Sequence, residues 1–140
     1  MRPAWRHGQR GSAATELVLI TPVLIVMLLF VVVLGRIASS RAEVDAASRD
    51  AARDAANARS IATAVTNSET AARGALHEGG VTCRSLSVAL DTDNFHAGGT
   101  VTATVSCTVA LRDLVGLAIP TSKTITAHFT APIDVYRGIS

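Results

Sequence analysis

The run Leu17–Leu34 constrains the fold of this chain more than any other feature, because it is apolar throughout except at Thr21 and Pro22. A helix over this run is roughly 27 Å long, which is close to the hydrocarbon thickness of a bilayer. The residues that follow it are polar enough to lie in water. The run therefore predicts one membrane-spanning helix, which small flanking residues extend to residues 12–35.

Glu16 lies at the edge of the apolar run, where a carboxylate costs on the order of a few kcal/mol unless it reaches water or finds a partner. One interpretation is that Glu16 sits at the headgroup level without a further role. Its surroundings favour another interpretation. Gly11 lies five residues earlier, the residues between them are small, and Arg10 comes immediately before.

Residues 10–24 read Arg-Gly-Ser-Ala-Ala-Thr-Glu-Leu-Val-Leu-Ile-Thr-Pro-Val-Leu. This stretch resembles the type III signal sequence of type IV pilins. Within the pilins it is most similar to the TadE/TadG-like minor pilins, or pseudopilins, of tight-adherence (Flp) systems. The resemblance extends to about residue 36, and the chain is much longer than a major Flp pilin, which favours a minor subunit.

The resemblance implies that a prepilin peptidase cleaves between Gly11 and Ser12. It also implies that Glu16 pairs with the freed amine of a neighbouring subunit in a filament. The implied partners are the cytoplasmic membrane, the prepilin peptidase, other pilins or pseudopilins, and a pilus assembly platform with its ATPase. The resemblance implies no chemistry by this chain itself.

The basic residues Arg2, Arg6 and Arg10 precede the apolar run, and no acidic residue accompanies them. The positive-inside rule therefore keeps the N-terminus in the cytoplasm and exports the C-terminal part. The expected location is a bacterial cell membrane, crossed once, or a surface pilus. A secretory signal cleaved near Ala38-Ser39-Ser40 is the main alternative.

The sequence predicts four segments: a cytoplasmic leader over residues 1–11, the membrane helix over 12–35, an Ala-rich helical stalk over 36–78, and an antiparallel β domain over 79–140. The formal net charge is +2. Its basic excess lies ahead of the apolar run, and the later arginines alternate with acidic residues. Because no basic cluster with aromatic neighbours is present, we expect no nucleic-acid partner.

The Ala-rich segment favours helix, since Ala has the highest helix propensity. Spacings of mostly three and four residues give a weakly apolar stripe. This stripe packs either on the chain's own sheet or against helices of neighbouring subunits. A break with a new N-cap is predicted at Thr66–Glu69, and Gly74 and Gly79-Gly80 are predicted to end the helical region. The stripe comprises Ile37, Val44, Ala47, Ala51, Ala55, Ala58, Ala62 and Val65.

The remaining chain predicts an antiparallel sheet of three to four strands, and hence an α+β fold similar to that of pilins. The alternation of apolar and hydroxyl residues over Thr100–Leu111 is typical of a strand with one wet face. Residues 91–99 form a turn-rich loop, and Arg112–Ile119 is predicted as a connector. The other predicted strands are Val81–Leu90, Lys123–Thr130 and a short edge strand containing Ile133, Val135 and Tyr136.

Cys83 and Cys107 are the only cysteines, and both lie in the part expected to be exported. An even number of cysteines in an oxidising compartment favours a disulfide between them. Placing the two directly opposite each other conflicts with the apolar pairing of Leu86 with Val105. A β-bulge that sets Arg84 and Ser85 against Ser106 resolves the conflict, so we predict such a bulge.

No catalytic constellation, phosphate loop or metal-ligand spacing is apparent, so we expect no enzymatic activity, no cofactor, no metal and no small-molecule substrate. The four histidines, His7, His77, His96 and His128, are scattered and are expected to be exposed. Asp91, Asp93 and Asn94 are better explained as turn residues than as a calcium loop. The alternative to a pilus subunit is a single-pass extracellular binding or sensory module that never assembles.

Overall fold

The computed structural model describes residues 10–110 and 122–136, with side chains from Glu16 onward. Its order of helices followed by strands confirms the predicted α+β class. The connector predicted at Arg112–Ile119 lies outside the described residues. The elements are α1 (Arg10–Ala56), α2 (Ile61–Glu78), β1 (Ser85–Asp91), β2 (Thr100–Ala110) and β3 (Ser122–Pro132).

The chain forms two compact units, Met1–Gly35 and Arg36–Ser140. The first unit contains the apolar part of α1. The second contains the remainder of α1 together with α2 and the sheet.

The break between the two helices lies at residues 57–60, earlier than the sequence predicts. Ser60 has extended backbone angles and is the N-cap of α2, since its side chain accepts a hydrogen bond from the Thr63 N–H at 3.3 Å. The prediction of a break at Thr66–Glu69 is wrong, because this stretch lies inside α2. There the Thr66 hydroxyl donates to the Ala62 carbonyl at 3.2 Å, a bond that lets a hydroxyl residue remain within a helix.

Glycine ends α2 as predicted at residues 79–80. The Gly79 N–H donates to the Ala75 carbonyl at 2.9 Å, and Gly80 takes a left-handed conformation with φ of 68°. Gly74 lies within α2, so its predicted role as a helix terminator is wrong. A single helical glycine lowers helix stability by roughly 1 kcal/mol, which the packing of the neighbouring turns overcomes.

The three strands form one antiparallel sheet in the order β1-β2-β3. The predicted alternation of β2 is confirmed over its described residues: Val101, Ala103, Val105, Cys107 and Val109 are buried. The prediction of a fourth strand is wrong for the described residues 133–136. The Ile133 N–H instead donates to the Gly99 carbonyl at 2.9 Å, and the chain then turns.

The pairing of β1 with β2 differs from the prediction. Leu86 lies opposite Cys107, whereas the prediction set it opposite Val105, and the ladder contains no bulge. The bulge was inferred from the assumption that the cysteines face each other within the ladder. Cys83 actually precedes β1, so the disulfide does not require the two cysteines to face each other in the ladder. The apolar residues still share one face, since Val88 pairs with Val105 and Leu90 with Ala103.

The loop between β1 and β2 sets this register. The Asn94 carbonyl accepts hydrogen bonds from the N–H groups of His96 and Thr100, at 2.9 and 3.1 Å. Gly98 has φ of 78°, and a Cβ on Gly99 would lie 2.0 Å from the Asn94 carbonyl oxygen. Glycine is required at both positions, because a side chain would strain the first and clash at the second. The Asp91 carboxylate accepts the Asp93 N–H at 3.1 Å, which is an ordinary Asx turn.

The core of the second unit joins both helices to the inner face of the sheet. Val44 and most of the predicted alanine stripe are buried in it, which confirms that the stripe packs within its own chain. Ala62 and Val65 are exposed, because the break at residues 57–60 changes which face of the helix meets the core. The buried stripe residues are Val44, Ala47, Ala51, Ala55 and Ala58, and α2 adds Ala64, Ser68, Ala72 and Leu76.

This core is built from small side chains. Among the described residues it is mostly alanine and valine, with Leu76, Ile125 and Ile133 as the larger buried side chains, and each buried side chain stabilises the fold by at most about 1.5–3 kcal/mol. The buried Ser48 and Ser68 hydroxyls donate to carbonyls of their own helices, at 2.8 Å each. Within the described residues no buried polar side-chain atom lacks a partner.

Candidate functional site

The apolar part of α1 is exposed. Its most apolar window has a mean hydropathy of 3.3, and none of that window is buried within the chain. Relative exposure in this stretch ranges from 49% at Val32 to 73% at Leu19 among the large exposed residues. Contiguous apolar patches of more than a few hundred Å² are rare on soluble monomers and mark contact with a membrane or a protein. This surface is therefore made to be covered by other molecules.

The helix continues through Pro22, which has no N–H to donate within the helix. The hydroxyl of the preceding residue, Thr21, donates to the Leu17 carbonyl one turn earlier in the helix, at 2.6 Å. In a bilayer every polar group needs an internal partner, and this bond satisfies the hydroxyl without help from water. The apolar face therefore contains one helix-interior proline and one internally bonded hydroxyl.

Glu16 is exposed and begins the apolar stretch. Gly11 and Ser12 lie in the first turns of α1, with Ser12 four residues before Glu16. At this spacing two positions share one face of a helix and are about 6 Å apart along its axis. Whether Gly11–Ser12 is cleaved and whether Glu16 pairs with another subunit remain predictions.

The structure joins Cys83 to Cys107 in the predicted disulfide, with a Cα–Cα distance of 5.4 Å. Cys107 is fully buried in β2, whereas Cys83 is half-buried in the connector that follows α2. The bond therefore fastens this connector to the middle strand of the sheet. No free cysteine is present among the described residues.

Within residues 10–110 and 122–136, no group of three or more His, Cys, Asp or Glu residues could hold a metal ion. His77, His96 and His128 are exposed as predicted, and His7 lies outside the described residues. The only ion pair in the described part of the chain joins Arg49 to Asp45 on the surface of α1. The feature that stands out among the described residues is therefore the exposed apolar surface of α1.

Two charged grooves flank α1 in the second unit, and the sequence alone did not reveal them. The first, with a volume of about 510 Å³, is lined by Arg41, Asp45 and residues 123–128 of β3. The second, of about 440 Å³, lies between α1 and α2 and includes Asp50, Asp54 and Glu78. One feature of the sequence could have drawn attention to the first groove: Lys123, which lines it, is the only lysine in the chain.

The fold and the exposed helix define a class of protein: a small α+β unit joined to one apolar N-terminal helix long enough to span a membrane. Residues 11–53 match the family model described as TadE-like protein, which confirms the predicted resemblance. This is a structural, pilin-type family. No curated protein and no solved structure matches the chain.

The family match begins at Gly11 and covers the apolar stretch together with the first half of the buried stripe. It leaves α2 and the sheet unmatched. The shared feature is therefore the N-terminal helix.

Proposed function

We propose that this chain is a TadE-like minor pilin or pseudopilin, a membrane-anchored structural subunit that takes part in assembling a tight-adherence pilus. The observation that carries the proposal is the coincidence of two features in α1. The family match covers residues 11–53, and within that segment the large apolar side chains of residues 17–34 are mostly exposed.

In this proposal the chain is first inserted in the cytoplasmic membrane with its N-terminus inside. Residues 1–11 form the leader, residues 12–35 the membrane helix, residues 36–78 the helical stalk and residues 79–140 the exported β domain. The exported side is the compartment in which the disulfide between Cys83 and Cys107 forms and persists.

A prepilin peptidase then removes the leader between Gly11 and Ser12. The cut creates a new amine on Ser12, at the end of the same helix that bears Glu16. A carboxylate in an apolar environment is stabilised by pairing with a cation, so the Ser12 amine of one subunit and Glu16 of its neighbour stabilise each other.

Once processed, the subunit exchanges lipid for the apolar helices of other pilins. The assembly platform and its ATPase drive this transfer. The exposed side chains of residues 17–34 are suited to both environments, because lipid tails and packed helices are similarly apolar.

The test of this proposal is the amount of the chain in filaments sheared from cells that carry Glu16→Gln. We expect the variant to accumulate in the membrane and to be strongly reduced in the sheared fraction, because the amide cannot form an ion pair. Glu69→Gln is the matched control, since Glu69 is exposed on α2 and lies far along the chain. Equal amounts of the wild type, Glu16→Gln and Glu69→Gln in filaments would refute the role of Glu16. Absence of the wild-type chain from filaments would favour an anchored module that is not assembled.

A further inference from the structure

The two grooves that flank α1 carry opposite net charge. In the groove beside β3, Asp45 is already paired with Arg49, and within the described residues Arg41 and Lys123 form no ion pair. The Arg49 guanidinium is in turn held over the Phe129 ring, 6.0 Å from its centre. This groove, which we call the basic groove, therefore offers unpaired positive charge beside an edge strand of the described sheet.

The groove between α1 and α2 offers the complementary charge. It is lined by the carboxylates of Asp50, Asp54 and Glu78 against one guanidinium, that of Arg53. None of these groups forms an ion pair within the described part of the chain. Asp50 and Asp54 are four residues apart on α1, a spacing at which like charges repel and destabilise the helix by a few tenths of a kcal/mol. A cation placed in this acidic groove relieves that repulsion.

The positions of the grooves determine what kind of contact they can make. Both use exposed residues of α1, and the buried residues Val44, Ala47 and Ala51 separate them on the helix surface. They therefore lie on opposite flanks of the same helix. A contact between unlike surfaces of two copies is heterologous, so each copy still has one groove of each kind for the next neighbour.

We propose that a second copy of this chain is the occupant of the basic groove, with its acidic groove facing Arg41 and Lys123. Charge complementarity supports this choice, because the same chain supplies both partners. The proposal extends the proposed function by adding a contact between exported units to the contact between apolar helices.

The first experiment uses Lys123 as the only side-chain amine in the chain. A zero-length carbodiimide is applied to membranes containing the full-length chain, and linked peptides are identified by mass spectrometry. We expect a cross-linked dimer in which Lys123 of one copy is joined to Asp50, Asp54 or Glu78 of the other. Mixing isotopically light and heavy copies shows that the link is intermolecular. A link confined to Asp45 within one copy would overturn the proposal.

Lys123→Arg is the matched control for this cross-link, since it keeps the positive charge and removes the reactive amine. We expect the cross-link to disappear while two differently tagged copies still co-purify from mild detergent. If Lys123→Arg abolishes co-purification as well, the contact does not depend on charge and the proposal is wrong.

Charge reversal then identifies the partner. Arg41→Glu with Lys123→Glu makes both grooves acidic, and Asp50→Lys with Asp54→Lys makes both basic. Each pair of substitutions is expected to reduce co-purification of identical copies by about tenfold or more, because like charges then face each other. Combining all four substitutions in one chain is expected to restore it, as is mixing the two reversed proteins.

Arg59→Glu with Arg84→Glu is the control for altered net charge, because both residues are exposed and lie outside the grooves. We expect this variant to co-purify like the wild type. If the reversed pairs lose co-purification and the variant with all four substitutions does not regain it, the partner is a different protein and the proposal is wrong. The cross-linking is done in membranes and the co-purification in mild detergent, and neither requires a filament, so their failure would leave the proposed role of Glu16 intact.

Discussion

The two units of this chain use apolar residues in opposite ways. Residues 17–34 contain large side chains that remain mostly exposed, whereas the described core of the unit Arg36–Ser140 is mostly alanine and valine, with Leu76, Ile125 and Ile133 as its larger members. Burial stabilises a fold in proportion to the apolar area removed from water. If the fold of this chain were the only requirement, the large side chains would be expected in its core. The difference indicates that the exposed apolar helix is suited to contacts with other molecules.

The small core also has a consequence for what holds the exported unit together. Because the described core of this unit is mostly alanine and valine, with Leu76, Ile125 and Ile133 as its larger members, we expect the disulfide and the helix cap to contribute a large part of its stability.

The largest effect is expected from removing the disulfide by Cys83→Ala with Cys107→Ala. The sequence separation of 24 predicts a loss of about 3 kcal/mol in the free energy of unfolding of the second unit. Thermal unfolding of the full chain in detergent micelles, followed by circular dichroism, should show a midpoint lowered by roughly 12 °C. Helical signal from the apolar part of α1 should persist above that midpoint. An unchanged midpoint would show that the alanine-rich core suffices without the disulfide.

A matched pair of valines tests the comparison directly. Val105→Ala leaves a cavity in the core and should cost roughly 2 kcal/mol of unfolding free energy, since Val105 is fully buried. Val26→Ala, at a position 65% exposed, should leave the same midpoint unchanged. A shift of similar size in both variants would mean that the apolar helix contributes to the core of its own chain.

A smaller effect is expected at the N-cap of α2. Ser60→Ala removes the acceptor for the Thr63 N–H and should cost about 1 kcal/mol. Thr66→Ala, within α2, should be neutral or stabilising by a few tenths of a kcal/mol, because alanine is the better helix former. Hydrogen exchange of the α2 amides distinguishes the two. The reverse order of effects would place the helix start at the position that the sequence suggested.

Those features that depend on composition and period were predictable from the sequence. The membrane-length run and the alternation of β2 follow from side chains that repeat over many residues, so a single ambiguous residue does not change the result. The disulfide pairing was predictable because Cys83 and Cys107 are the only two cysteines.

Features set by single local contacts were not predictable. Ser60 and Thr66 are both acceptable N-cap residues, and only the packing of α2 on the core selects Ser60. The register of β1 depends on the carbonyl of Asn94 and on two glycines in the loop, which sequence period does not specify. The charged grooves were missed for a similar reason, since they combine residues from α1 with residues of β3 or α2.

The intact mass of the chain extracted from its native membrane tests the central claim most directly. The proposal predicts loss of Met1–Gly11, and it predicts that Gly11→Ile or deletion of the peptidase retains the leader. A full-length N-terminus in the wild type would contradict the pilin role and favour an anchored module. Cleavage near Ser40 would contradict it as well, because the apolar helix would then be a secretion signal removed from the mature protein.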